Sequence, residues 1–321
     1  MSSYKATNPL PEPQTPDAIV SITPFESARM RMPNSMAILG DRGSTGINSW
    51  RFFMHHKPTD TKFWFDLGIA HDLTLYPPRI IDVQHKVFQT QPGTSTAAED
   101  TQSLNHDPSE VKYIIASHAH WDHIFPADSL FPNATVLCGA GTLSWATPSY
   151  PSDPDSTFDG RIWDTTTAAT DGRQGHARLP VRELSSPATS PEEWKPLGPF
   201  DHALDFFGDG SFHLIDAPGH CAGNLAALAR TRNAAGELRY CFLGGDCFHS
   251  PLFMQYPDAP FGKGVKVTPT DTFHEDEAGA RKVIRQTAEL KREEGTRALI
   301  WIAHCETLEG LFEFTPHLRL E

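Results

Sequence analysis

Six short segments are apolar almost throughout and end at turn-forming residues: 62–66 (KFWFD), 112–117 (KYIIAS), 134–138 (ATVLC), 212–216 (FHLID), 240–244 (YCFLG) and 298–303 (ALIWIA). Runs this short, rich in β-branched and aromatic residues and without a polar face, read as strands covered on both sides. One segment has a different period. Over 275–294, Val283, Ile284, Thr287 and Leu290 recur at helical spacing and Gly295 supplies a C-terminal stop, so a helix is expected there. It leads straight into the strand at 298–303. Strands alternating with helical stretches predict an α/β layer structure. Between 148 and 210 the pattern lapses into Pro, Ser, Thr, Asp and Gly, broken by Trp163, Trp194, Phe200, Phe206 and Phe207. Those aromatics fit an irregular insertion packed over the domain better than a tail.

Composition narrows the picture. A chain of 321 residues suits one large domain, expected over 18–321 behind a flexible, proline-rich tail at 1–17. That tail has neither a signal-peptide core nor a basic transit helix, which makes the cytoplasm the expected compartment. With 39% hydrophobic and 10% aromatic residues, and no apolar run long enough to span a bilayer, a disordered chain and a membrane span are both excluded. The 27 basic and 40 acidic residues leave a net charge of −13, and no basic run is present to follow a phosphate backbone. A small molecule is therefore the expected partner, not nucleic acid or membrane; a homodimer is compatible with the sequence without being indicated by it. Five cysteines, odd in number and without a CxxC pair, read as reduced thiols. The outlier is histidine, with sixteen copies of the commonest metal ligand.

Four ligand-type side chains, His118, His120, Asp122 and His123, lie within six residues at the end of the strand at 112–117. On an extended segment His118 and His120 point the same way and can hold one ion, while Asp122 and His123 on the following turn reach a second. Three further strand ends carry Pro218-Gly219-His220, Gly244-Gly245-Asp246 and His304. Such strand ends are where open α/β sheets place their reactive loops.

The ordered set HxHxDH, His, Asp, His resembles the metallo-β-lactamase superfamily over about 19–304. The resemblance implies a four-layer αββα sandwich with two metals in the cleft where the sheets meet. It also implies that His118, His120 and His220 hold one ion, that Asp122, His123 and His304 hold the other, and that Asp246 bridges them. Asp66, in Asp66-Leu67-Gly68, is similar to the family's supporting acid; a plain turn carboxylate is the competing reading. The nitrogen and carboxylate ligands suit two Zn²⁺ ions and tolerate Mn²⁺ or Fe²⁺. Two such cations ionise a shared water near neutrality, giving a bridging hydroxide as nucleophile, with Asp122 able to orient it and pass its proton to the leaving group.

The bridging aspartate points away from the true β-lactamases and towards the lactonase and organophosphate-hydrolase branch. His249 stands where lactonases of this family carry a tyrosine, and Gln255-Tyr256-Pro257 follows it. His249 is thus a candidate oxyanion donor or leaving-group acid, with a turn cap as the competing reading. The expected activity is opening of a small lactone or lactam in detoxification or natural-product metabolism. Acyl thioesterase and phosphotriesterase are the alternatives on the same metals, and a mono-iron sulfur dioxygenase is the alternative of another class. Trp121, Tyr150, Trp163, Trp194, Phe253 and Tyr256 are the aromatics that would wall the pocket. Cys221, Cys247 and Cys305, each next to a candidate ligand, are expected to face away from the ions.

Overall fold

The computed structural model of the chain describes residues 9–11, 15–165 and 178–315. Most of the expected tail, at 1–8 and 12–14, lies outside the described residues, as does 166–177 of the insertion. Among the described residues, fourteen strands form two sheets. The first joins β1 (Val20–Pro33), β2 (Ser44–His56), β3 (Thr61–Phe65), β4 (Gln91–Pro92), β5 (Val111–Ile115), β6 (Thr135–Cys138) and β7 (Val181–Glu183) in the order β4-β1-β2-β3-β5-β6-β7. The second joins β8 (Trp194–Leu197), β9 (Phe200–Asp205), β10 (Phe212–Asp216), β11 (Leu225–Arg232), β12 (Leu238–Leu243) and β13 (Ala298–Trp301) in the order β13-β12-β11-β10-β9-β8. The last strand, β14 (His304–Cys305), pairs with β2.

Side-chain alternation explains how the sheets stack. In β3 Phe63 and Phe65 point into the core shared with the second sheet, beside Phe212, Leu214 and Phe242, whereas Trp64 points into a separate core with Ile80, Ala97 and Phe131 under the helices Pro78–Lys86 and Ala97–Ser103. Period two thus sends one strand's residues to both faces, and both faces are covered. On the far side, the helix Glu277–Glu294 buries Ala280, Val283, Ile284, Thr287 and Leu290. Asp276 caps its first turn and Gly295 ends it. The result is an α/β sandwich with helices outside two facing sheets.

All six sequence-predicted strands are present within a residue or two, and so is the long helix. The insertion differs from the irregular covering segment expected: its described parts supply β7 at one edge of the first sheet and β8 and β9 at the edge of the second. Strands of three to six residues separated by Pro, Ser and Gly leave little periodicity to read. All five cysteines are buried and unpaired. Among the described residues, no helix is long and apolar enough to cross a membrane.

Candidate metal centre

The two sheets bring seven side chains to one place. β5 ends at Ile115, the chain bends, and a turn closed by His123 N–H to the His120 carbonyl (3.1 Å) folds Asp122 and His123 back over it. His220 follows β10 on a loop whose Gly219 and His220 carbonyls accept hydrogen bonds from Asp276 and Glu275 at the start of the long helix, 2.9 and 3.1 Å. Asp246 follows β12, and the neighbouring parallel strand β13 is tied to it by Gly244 N–H to Trp301 O, 2.7 Å. Beyond Trp301 the chain crosses from the second sheet to the first, where His304 pairs with Ser49 of β2. His304 is therefore placed where the sheets meet.

The ligand-type atoms fall into two groups, His118, His120, His220 and Asp246, then Asp122, His123, Asp246 and His304, with the atoms of each group within 4.8 Å of one another. Within the first, His118 Nε2, His120 Nδ1 and His220 Nε2 form a triangle with edges of 2.9, 3.0 and 3.1 Å. Three imidazole nitrogens cannot all hydrogen-bond one another, since each pair needs one hydrogen and one lone pair. A single cation among them satisfies all three. Asp246 divides its carboxylate between the groups: Oδ2 lies 3.6 Å from His220 Nε2 and 3.9 Å from His118 Nε2, while Oδ1 lies 3.2 Å from His123 Nε2 and 3.3 Å from His304 Nε2. His304 Nε2 is also 3.2 Å from Asp122 Oδ2. His123 Nε2, His304 Nε2 and Asp246 Oδ1 are buried without a hydrogen-bond partner, a costly arrangement that a second cation removes. The residues present thus fit two metal ions.

Protonation states suit a cation in the first group. Burial, reinforced by the neighbouring imidazoles, pushes His118 and His220 well below the usual histidine range, leaving neutral rings with lone pairs. Burial would raise Asp246, but the imidazoles of His304, His249 and His123 hold it well below the usual carboxylate range. Behind the ligands, Asp66 Oδ2 takes a hydrogen bond from His123 Nδ1 at 2.8 Å, and its two oxygens accept from the Ser117 N–H (2.7 Å) and Oγ–H (2.9 Å). The supporting-acid reading of Asp66 is the one this geometry fits. Ser117 Oγ in turn lies 3.0 Å from His118 Nδ1, so the sequence-silent Ser117 links both halves.

His249 is buried at the junction. Its Nε2 is 2.9 Å from Asp246 Oδ2, its ring stacks on Phe273 (4.0 Å, 16°), and its Nδ1 is shielded from solvent without a partner. The sequence makes this ring a candidate substrate contact; in the structure it lines the cleft and its Nε2 also lies against the Asp246 carboxylate. Cys247 and Cys305 pack into the core between the sheets, and burial pushes both thiols up to about 12. Cys221 is buried as well.

A cleft of about 240 Å³ opens over the ligands, reaching His120, Asp122, His220, Asp246, His249 and His304 at its floor. Of the aromatics expected to wall it, only Trp121 does. Trp163, Trp194 and Phe253 are buried in the cores, Tyr150 bridges to Asp159 in the insertion, and Tyr256 is 62% exposed away from the cleft. The walls come instead from Met30 and Met32 of β1, from Ile80 and Val83 of the helix Pro78–Lys86 and Val87 that caps its end, and from Val265, Val267 and Phe273 of the loop before the long helix. Two signals for these were in the sequence: Arg-Met-Arg-Met at 29–32 alternates like a half-buried strand, and 80, 83 and 87 share one helix face.

No family model matches the chain. It is similar to metallo-hydrolase mfmC of Annulohypoxylon moriforme, 38% identical over 196 residues, covering 58% of this chain and 45% of that protein. It is also similar to gamma-lactamase MBL2 of Gibberella moniliformis, 30% identical over 224 residues, covering 65% of this chain and 84% of the relative. Among solved structures, Bacillus thuringiensis AiiA with N-decanoyl-L-homoserine bound superposes with a TM-score of 0.58 at 13% identity, covering 89% of this chain and 94% of that one. The chain belongs to the metallo-β-lactamase superfamily. It spans less than half the length of mfmC, and 29% of three other curated relatives.

Proposed function

We propose that the protein is a dinuclear-metal hydrolase that opens a small cyclic ester or amide, a lactone or a lactam. The observation that carries this is the divided Asp246 carboxylate, one oxygen towards each group of ligand atoms. His118, His120 and His220 would hold one ion and Asp122, His123 and His304 the other, zinc being favoured by an all-nitrogen and carboxylate donor set. When bound, the pair would supply an acidified water and draw charge from the carbonyl oxygen under attack. Asp122, on the cleft floor, would hold the attacking water and carry its proton to the departing oxygen or nitrogen. His249 would keep Asp246 oriented, through Nε2–H to Oδ2, with Phe273 fixing its ring.

Cleft size supports a compact substrate. A void of 150 Å³ accepts benzene, so about 240 Å³ takes roughly one and a half to two fused rings and excludes a fully enclosed long acyl chain. Relatives named gamma-lactamase and N-acyl homoserine lactonase support both the cyclic amide and the cyclic ester. The complete second group argues against a one-iron dioxygenase, which would not need it. The test is turnover of a lactone and lactam panel by zinc-loaded protein and by His118→Ala. Ring opening by the first and not the second is the expected outcome; cleavage of phosphotriesters or acyl thioesters alone would sink the proposal.

A further inference from the structure

Apart from the two acids among the ligands, Asp122 and Asp246, the only formally charged side chains on the cleft wall among the described residues are Arg79 and Lys266. Both are exposed at its rim. The chain as a whole carries −13, so a rim with two cations and, among the described residues, no lining acid beside them inverts the protein's average charge at the entrance to its site. Neither side chain has a carboxylate within ion-pair distance among the described residues; Arg79 donates one Nη1 hydrogen to the neutral Asp155 carbonyl at 3.0 Å.

The two come from separate elements, each held in place. Arg79 lies in the first turn of the helix Pro78–Lys86, whose Ile80 and Val83 line the cleft below it. Lys266 sits between Val265 and Val267, both wall residues, in a loop pinned by Thr268 Oγ–H to the Val265 carbonyl (3.0 Å) and by Gly264 N–H to the Asp271 carbonyl (3.0 Å). Between rim and floor the wall is mostly apolar, with Met30, Met32, Ile80, Val83, Phe88 and Phe273 beside Thr157 and Thr268. A molecule spanning this cleft meets metals at one end, apolar side chains along its body and two unpaired cations at the other end.

We infer that Arg79 and Lys266 form an anion-reading rim, and that the substrate is a compact, largely apolar ring system bearing a carboxylate remote from the bond that is opened. This rests on the proposed hydrolase reading for which bond is opened, and on the cleft alone for the remote anion. Guanidinium offers paired donors to a carboxylate and the ammonium adds a mobile charge, so the rim acts on binding and not on the chemical step. Because the pair is exposed, the effect is moderate and screened by salt.

The probes are naphthalene-2-carboxylate and naphthalene-2-carboxamide, measured by calorimetry on the zinc-loaded protein, and dihydrocoumarin-6-carboxylate and its methyl ester, measured by turnover. Any contact of the naphthoate with the metals is common to wild type and Arg79→Gln/Lys266→Gln, so the difference between the two proteins reports the rim. The wild type is expected to bind the naphthoate about five- to tenfold more tightly than the double variant does, with carboxamide binding unchanged. That advantage should shrink between about 50 and about 500 mM salt. For turnover, the carboxylated lactone should have the lower KM in the wild type alone, at equal kcat. Equal naphthoate affinity in the two proteins would overturn the inference, as would a KM advantage that survives in the double variant. Failure of every lactone to react, with the calorimetric difference intact, would count against the hydrolase reading and not against the rim.

Discussion

Asp66 Oδ2 lies 2.8 Å from His123 Nδ1, with both side chains about 1% exposed. This carboxylate fixes the imidazole so that Nε2 faces Asp246 and the second ligand group, 3.2 Å away. Such an outer partner commonly accounts for about ten- to a hundredfold in metal affinity. Asp66→Asn is therefore expected to weaken the second ion by about that factor while leaving the first in place. The residue holds a positive φ of 55°, a conformation asparagine tolerates, so the backbone should persist. Zinc titration with a competing chelator would show it, and two ions held as tightly as in the wild type would refute the role.

His249 separates two roles by substitution. If it positions Asp246 through Nε2–H, His249→Gln keeps a hydrogen-bond donor near that carboxylate and should retain most activity, while His249→Ala should lose about ten- to a hundredfold in kcat with little change in KM. If the ring instead delivers a proton to the leaving group, glutamine would be as damaging as alanine. Steady-state kinetics of the two variants decides between these.

The loop carrying His220 is built on a glycine that nothing else can replace. Gly219 has φ of 129°, and a Cβ there would lie 2.1 Å from the backbone nitrogen of Ala280 in the long helix. Backbone cannot yield as a side-chain tip can. Gly219→Ala should cost about 3 kcal/mol or more and loosen His220 with it. Thermal unfolding of the metal-free protein would reveal the loss; a melting temperature unchanged from the wild type would contradict the packing described.

The apolar wall sets the size limit. Val83 is half-buried on the cleft side of its helix, so Val83→Trp should fill part of the 240 Å³. KM for bicyclic lactones is expected to rise about tenfold with metal content unchanged. An unaltered KM for bicyclic and monocyclic rings alike would place the substrate elsewhere.

Much of this was readable in the residues before the fold was known. KFWFD and FHLID lie inside their sheets and are largely apolar, so they announce themselves, and the supporting Asp66 and the ligand His220 follow them because strand ends are where chain direction changes. The longest strand of each sheet was hidden for physical reasons. β1 shifts register between Glu26 and Ala28, where Ser27 bonds the Ser49 carbonyl at 2.9 Å, and that bulge breaks the two-residue period. β11 is Leu-Ala-Ala-Leu-Ala-Arg-Thr-Arg, a good helix composition overridden by burial of all but its last residue. The cleft walls were hardest to see, because Met30, Ile80 and Val265 come from three distant segments that only the tertiary fold unites.

The central claim, that Asp246 joins two metal ions in one site, is tested most directly by elemental analysis of protein saturated with zinc and then dialysed free of excess. The wild type should retain two zinc ions per chain and Asp246→Ala fewer than one. A single ion in the wild type, or two ions retained by Asp246→Ala, would contradict the account.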